Sequence, residues 1–302
     1  MSKRYGIVAA LSKPEAKELG STIAQWLVEH GHTPVMESEL SAKGTAAIDA
    51  VVVLGGDGLM MRAANVYPDI PLLGINFGKV GFLALVEQQD WHAALTALVH
   101  GAYEIETSST LKGSLLRGGT EKDHGWAIND VVIRGGNRML DVEVYIDGHF
   151  VNTYPGDGMI VSTARGSTAY CMAAGGPILT AGVRGFAIVP ISCHSPIRTP
   201  MVASEDVKIE LVLTNDHEGS LILDGRTLVD LRLDDVVKIE RGVHTFQLVK
   251  VGSSNFYDAV REKFNFQIRP DAVPTRAYAG SQRTRAIPEQ ARQARQARPE
   301  PD

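Results

Sequence analysis

Gly55-Gly56-Asp57-Gly58 directly follows the apolar run Ala50-Val51-Val52-Val53-Leu54. Glycines let a backbone come close to a phosphate and turn its N–H groups toward the anion. Asp57 sets a carboxylate beside that anion, where it can take a proton from an attacking hydroxyl or position a metal carried by phosphates. The plainer reading is a tight strand-to-helix turn with Asp57 as its N-cap. Asn129-Asp130 puts an amide and a carboxylate between Trp126-Ala127-Ile128 and Val131-Val132-Ile133. An Asn amide matches the N6/N7 edge of adenine and a carboxylate accepts from both hydroxyls of a ribose; a turn or strand-end bulge is the alternative. A third stretch, Asp157-Gly158, Ser162-Thr163 and Gly166-Ser167-Thr168-Ala169-Tyr170 before Gly175-Gly176-Pro177, reads as a long loop-to-helix segment. Its small hydroxyl residues suit close contact with a sugar-phosphate, or simply a Gly-rich turn with a Ser or Thr cap.

Other chemistries lose support. There is no G-x-x-x-x-G-K-[ST], and Met61 stands where the third glycine of a dinucleotide fingerprint would follow Gly56-Asp57-Gly58. HExxH and GxSxG are absent and the histidines lack ligand spacing, so His194 reads as a loop or core histidine. Cys171 and Cys193 are the only cysteines and lack CxxC spacing, which makes them structural thiols of a reducing compartment.

The elements that must position these groups are legible in part. Tyr5 to Ala10 reads as a buried strand, and Ser12 with Glu15 gives a capping-box signature with Pro14 in the first turn. Ala16, Leu19, Ile23, Trp26 and Leu27 recur at helical spacing, with Gly31 as a left-handed stop. Thr33 to Met36, Ala50 to Leu54 and Leu72 to Asn76 read as strands. Leu59 to Val66 and a segment through Trp91, Leu95 and Leu98 ending near Gly101 read as helices. That alternation predicts a parallel sheet with helices on its faces. Beyond Tyr103 the pattern changes to short alternating strands with Asp147-Gly148 and Asp224-Gly225 as hairpin signals, with further runs at Val207 to Leu213 and Val236 to Val251. A mostly antiparallel second domain is expected, giving an α/β domain over 1–102 and a β-rich domain over 103–269. From Pro270 the chain is rich in Arg, Gln, Pro and Ala, with repeated Gln-Ala-Arg triplets, and 270–302 reads as a disordered tail.

The 302 residues fit two domains, and 44% hydrophobic with 22% charged residues is ordinary globular usage. A formal charge of −5 gives no general attraction to nucleic acid or anionic membrane. Ile7 to Leu11 is too short for a signal core and no apolar run approaches the roughly 18 residues of a membrane span, so a soluble, cytoplasmic protein is expected.

Taken in order, Gly55-Gly56-Asp57-Gly58, Asn129-Asp130 and Asp157-Gly158 through Gly166-Ser167-Thr168-Ala169-Tyr170 resemble the NAD kinase family. The likeness spans about residues 5–265 and includes Asn76-Phe77-Gly78-Lys79-Val80-Gly81-Phe82-Leu83 and Asp224-Gly225-Arg226. It implies an N-terminal Rossmann-like α/β domain, a C-terminal antiparallel, β-sandwich-like domain, and a last helix packing back on the first. It also implies transfer of a phosphoryl group to the 2′-hydroxyl of the adenosine ribose of NAD, from ATP or another donor, with a divalent metal such as Mg²⁺. Subunits would associate as a dimer or tetramer. By the resemblance Asp57 is the base, with Gly55, Gly56, Gly58 and Arg62 at the phosphates. Asn129, Asp130, Arg138, Asp157, Thr168, Ala169, Tyr170, Ala173 and Arg226 would surround NAD, Asp157 toward the nicotinamide and Thr168 to Tyr170 toward the adenine. No protein metal ligand is implied. Asp130 replaces a frequent Glu, Ala164-Arg165 replaces Pro and a small hydroxyl residue, and Arg226 replaces a frequent Gln. Arg165 would then either meet a phosphate or face solvent. The competing readings are a lipid or sugar kinase sharing the Gly-Gly-Asp-Gly loop, as in diacylglycerol-kinase-like enzymes, and a non-catalytic NAD-binding protein.

Overall fold

The structure, a computed structural model, describes residues 2–43, 48–78, 81–180, 182–196, 198–252 and 256–263. Lys79 and Val80 of the glycine-rich loop and the whole 270–302 segment lie outside the described residues.

Strands β1 (Arg4–Ala9), β2 (Thr33–Met36), β3 (Ala50–Leu54) and β4 (Leu72–Asn76) form a parallel sheet in the order β2-β1-β3-β4, with the short β5 (Val86–Glu87) beside the end of β4. Helices α1 (Pro14–Glu29) and α4 (Trp91–His100) cover one face, and α2 (Glu37–Lys43) and α3 (Asp57–Val66) the other. Double coverage explains why β3 is apolar throughout: Val52 and Leu54 join the core under α1, while Val51 and Val53 join the core under α3. Pro14 opens α1 as expected, but the N-cap is Lys13 and no side chain caps it, so the Ser12–Glu15 box does not form. Gly31 and Gly101 both adopt positive φ, 78° and 75°, just past the ends of their helices. Helix α2 has no counterpart in the sequence expectations.

The second half contains β6 (Glu104–Arg117), β7 (Thr120–Ala127), β8 (Asp130–Gly135), β9 (Leu140–Ile146), β10 (His149–Gly156), β11 (Gly158–Ser162), β12 (Gly185–Ile191), β13 (Met201–Ser204), β14 (Ile209–Leu213), β15 (Gly219–Leu223), β16 (Arg226–Leu231) and β17 (Val236–Lys250). Six of them make an antiparallel sheet, β13-β12-β11-β8-β15-β16. It packs Val131, Ile133, Val161 and Leu221 against Val142, Val144, Leu211 and Val237 of a second layer built from β10, β9, β14, β17 and β6. The other face of the six-stranded sheet, through Val132, Ile160 and Val189, is covered by Cys171 of the short α5 (Tyr170–Ala173) and by Leu179. Both hairpin signals hold: Asp147-Gly148 has φ of 50° and 76°, and Asp224-Gly225 of 47° and 75°, the double positive pair that matches strand twist.

Two further features differ from the sequence expectations. The stretch after Asp157 is not loop: Gly158 to Ser162 is the fully buried strand β11, pairing with β8 and β12. The halves also share a sheet, because the long β17 pairs with β14 near its start and with β4, at Leu248 and Leu72, near its end. A last helix, α6 (Phe256–Lys263), follows, and its Phe256 ring lies 6.0 Å from that of Phe82.

Candidate active site

β3 carries no side chain able to do chemistry, so its role is to deliver the chain to the carboxyl edge of the sheet, where open α/β folds bind ligands. There Gly55 N–H donates to the Ile75 carbonyl at 2.9 Å, and Asp57 opens α3 as its first residue. The N-cap position is Gly56, so Asp57 is not the helix cap. Its carboxylate reaches instead to the glycine-rich loop after β4, accepting from the N–H groups of Phe82 (2.8 Å), Leu83 (3.0 Å) and Ala84 (3.2 Å). These donors fix both oxygens in one orientation and stabilise their charge. The cradle depends on Gly81: a Cβ there would fall 1.8 Å from Asp57 Oδ1.

Gly56 and Gly58 are explained differently. Both are exposed, neither has positive φ, and a Cβ on either would meet nothing within 4 Å. The space they leave is open to a ligand. Gly58→Ala, inside the first turn of α3, is therefore expected to leave the melting temperature unchanged or raise stability by up to about 1 kcal/mol. The same change should weaken binding of a phosphate-bearing ligand at this loop about tenfold or more. Thermal melts and nucleotide titrations check both halves of that expectation.

On the β-rich side, Asn129 precedes β8 and Asp130 is its first residue, the strand-end placement. The organiser is Asp224, in the β15–β16 hairpin. Its carboxylate accepts from the N–H groups of Ile128 (2.8 Å), Asn129 (2.7 Å) and Asp130 (3.2 Å). The turn after β11 locks onto the same backbone. Thr163 Oγ1 donates to the Ile128 carbonyl at 2.6 Å, Thr163 N–H to the Asn129 carbonyl at 2.9 Å, and Gly166 packs so tightly that a Cβ would lie 2.1 Å from that carbonyl oxygen. Asp130 is only 5% exposed and has no hydrogen-bond donor on its carboxylate among the described residues. Burial, and secondarily the Asp224 carboxylate, push its pKa up to about 7. Burial also pushes the Asp224 carboxyl upward, against the pull of its three N–H donors. A buried carboxylate without partners is costly unless a ligand supplies them.

The remaining expected residues fall into three groups. Arg62 and Arg226 border α3: Arg62 Nη1 pairs with Glu37 Oε1 at 2.6 Å, and Arg226 Nη2 donates to Asn65 Oδ1 at 3.3 Å, so the β16 end reaches across to the helix that begins at Asp57. Thr168 lines a narrow crevice with Phe82, Ser108, Ala164, Arg165 and Phe256. Ala169, Tyr170 and Ala173 follow it, the Tyr170 ring lying 5.9 Å from the Arg134 guanidinium carbon. Arg138 and Asp157 are exposed farther along the sandwich, their backbones drawn together around Gly135. Asp157 N–H donates to the Ile191 carbonyl, beside an open groove of about 620 Å³ lined by Ser192, Cys193, His194 and Arg198. Phe82, whose N–H holds Asp57, thus shares a crevice with Thr168 of the β-rich half, and Arg226 reaches α3 through Asn65. Asn129 and Asp130 are tied to the Asp224 hairpin, and Asp157 lies beside the separate open groove.

Sequence reasoning gave Asp224 no role at the site, reading it as a hairpin residue and as part of the resemblance, and missed Glu106, which nothing local marks. Arg165 does not face solvent: 8% of its side chain is exposed and it pairs with Glu106. Cys171 and Cys193 are buried and free, and burial lifts the Cys171 thiol to about 11, in keeping with structural roles.

The fold is that of two solved kinases. The chain superposes on yeast NADH kinase complexed with NADH with a TM-score of 0.79 at 18% identity, covering 91% of this chain and 90% of that one. It superposes on an NAD kinase from Archaeoglobus fulgidus in complex with ATP with a TM-score of 0.68 at 24% identity, covering 87% and 97%. In sequence, residues 5–103 match the ATP-NAD kinase N-terminal domain and 128–251 the ATP-NAD kinase C-terminal domain. The NAD kinase of Thermomicrobium roseum is 52% identical over 91% of this chain and 96% of its own, and that of Moorella thermoacetica 36% identical over 86% and 89%. The chain belongs to the NAD kinase family, enzymes that transfer a phosphoryl group to an alcohol.

Proposed function

We propose that this site transfers the terminal phosphoryl group of ATP to the 2′-hydroxyl of the adenosine ribose of NAD, giving NADP. The observation that supports this reading is the Asp57 carboxylate, immobilised by three N–H donors at the glycine loop, whose Phe82 shares a crevice with Thr168 of the β-rich half. Asp57 takes the hydroxyl proton as the ribose oxygen attacks. The Gly55, Gly56 and Gly58 backbone lies along the donor phosphates, and Arg62 joins them by turning from Glu37, which its 47% exposed side chain permits. Asn129 and Asp130 hold base and ribose, the ribose hydroxyls supplying the donors that Asp130 lacks. Thr168, Ala169, Tyr170 and Ala173 line the adenine side, Arg226 closes the α3 edge, and Arg138 and Asp157 take the nicotinamide end at the open groove. The yeast neighbour solved with NADH and the archaeal one solved with ATP support both ligand classes.

Among the described residues no group of three or more His, Cys, Asp or Glu side chains is placed to hold a metal. Magnesium fits this site as a companion of the donor's phosphates, neutralising their charge, and not in a protein cage. We place the domain division at residues 102 and 103, expect a dimer or tetramer, and assign the protein to the cytoplasm. No described helix is long and apolar enough to cross a membrane.

The test is substrate choice, read with an NADP-specific dehydrogenase. Purified protein with ATP, magnesium and NAD should accumulate NADP. Turnover of diacylglycerol or fructose 6-phosphate with no NADP would assign the site to another acceptor, and NAD binding without any ADP release would make the protein a non-catalytic binder.

A further inference from the structure

Arg165 occupies the turn after β11, and burying a permanently charged guanidinium demands partners. It has some: Nη2 pairs with Glu106 Oε1, Nε donates to Ser108 Oγ at 3.0 Å, and the guanidinium carbon lies 5.6 Å from the centre of the Phe246 ring. Glu106 is shared, because its Oε2 also takes Lys250 Nζ at 3.3 Å. Glu106 is thus divided between two cations. The crevice that Arg165 lines also contains Phe82, whose N–H holds Asp57, and Thr168. Burial lowers the guanidinium pKa to about 10, and the Asp57 carboxylate opposes that fall. Nη1 has no acceptor among the described residues.

We propose that Arg165 is a catalytic residue whose Nη1 donates to an oxygen of the phosphoryl group while that group passes from donor to acceptor. The proposal rests on the reading of Asp57 as base. In the step, a bond forms between the ribose 2′-oxygen and the terminal phosphorus as the bond from that phosphorus to the bridging oxygen of ATP breaks. The hydroxyl proton goes to Asp57 and ADP leaves with the bridging electron pair. Charge spreads over the three equatorial oxygens during this passage, and a planar guanidinium already fixed by Glu106, Ser108 and Phe246 meets it without reorganising. Glu106 and Ser108 act as positioning residues.

The experiment compares Arg165→Gln, Arg165→Lys and the double variant Glu106→Gln/Arg165→Gln in the full chain. The double variant removes the carboxylate that Arg165→Gln would leave without its main partner, so a fold defect from that source is separated from lost catalysis. Arg165→Gln is expected to lower kcat by about 10²- to 10³-fold while the Michaelis constants for NAD and ATP stay within about threefold. The double variant should be equally slow, and Arg165→Lys should recover only part of the loss. Near wild-type kcat in the double variant would make Arg165 a partner for Glu106 alone, and a loss confined to the Michaelis constant for NAD would move its contact to the dinucleotide; either overturns the proposal. Asp57→Asn run alongside keeps the two ideas apart. Full activity there defeats the base assignment, whereas an inactive Asp57→Asn with an active Arg165→Gln defeats the arginine alone.

Discussion

Asp57→Asn is expected to lower NADP formation by about 10²- to 10⁴-fold, the usual contribution of a general base. The amide keeps the size of the carboxylate and loses its capacity to accept the hydroxyl proton. It also disturbs the cradle. Asn can keep its oxygen at the Oδ1 place, where the Leu83 and Ala84 N–H groups donate, but its NH₂ then opposes the Phe82 N–H. One N–H without an acceptor costs about 1 to 3 kcal/mol, so a modest fall in melting temperature accompanies the loss of turnover. NAD binding should change only a few-fold, since Asn129, Asp130 and their Asp224 scaffold are untouched. Steady-state rates, calorimetric titration with NAD and a thermal melt give the three readings. A variant that turns over near the wild-type rate contradicts the assignment.

Asp130→Asn is expected to trade stability against affinity with a definite pH dependence. In the fold the Asp130 carboxyl has its pKa raised from an ordinary 3.8 to about 7, so between those values the folded protein keeps a proton that the unfolded chain has lost. Folding stability therefore falls as pH rises from about 4 to about 7 and is flat above that window. At about 1.4 kcal/mol per unit, the penalty at pH 8 is at most on the order of 4 kcal/mol. Asn carries no charge to bury and relieves the repulsion with Asp224. The free variant should melt higher than wild type at pH 8, with the gain fading toward pH 4.5. Its Michaelis constant for NAD should rise about 10- to 100-fold, since hydrogen bonds from ribose to a charged acceptor are worth about 1.5 to 3 kcal/mol. A melting difference independent of pH would refute the buried-charge account, and an unchanged Michaelis constant would remove Asp130 from the NAD site.

What the sequence disclosed follows from the range over which each signal acts. The Asp147-Gly148 and Asp224-Gly225 hairpins were legible because positive φ is a demand met within two residues. β3 was legible because burial on both faces leaves five consecutive apolar residues. Ser12 misled, since a capping pattern says which residue can cap and the chain path put Lys13 at that place. β11 was hidden because Met159, Ile160 and Val161 lie between hydroxyl and glycine clusters that drew the loop reading. The β4–β17 pairing joins Leu72 to Leu248, and the Arg165–Glu106 pair spans 59 positions; no local pattern encodes either. The same holds for the site. In the proposed site, Asp57 and Asn129-Asp130 stand out by residue type, whereas Asp224, which holds the backbone of residues 128–130 from 94 to 96 positions away, looked like a turn.

The most direct test of phosphoryl transfer at this site is the fate of the phosphorus itself. Phosphorus NMR of the protein incubated with ATP, magnesium and NAD should show the terminal phosphate resonance of ATP replaced by ADP and a new 2′-phosphomonoester in equal amounts, with the dinucleotide pyrophosphate retained. ADP accompanied only by inorganic phosphate, or a monoester at any other position of NAD, would contradict the account.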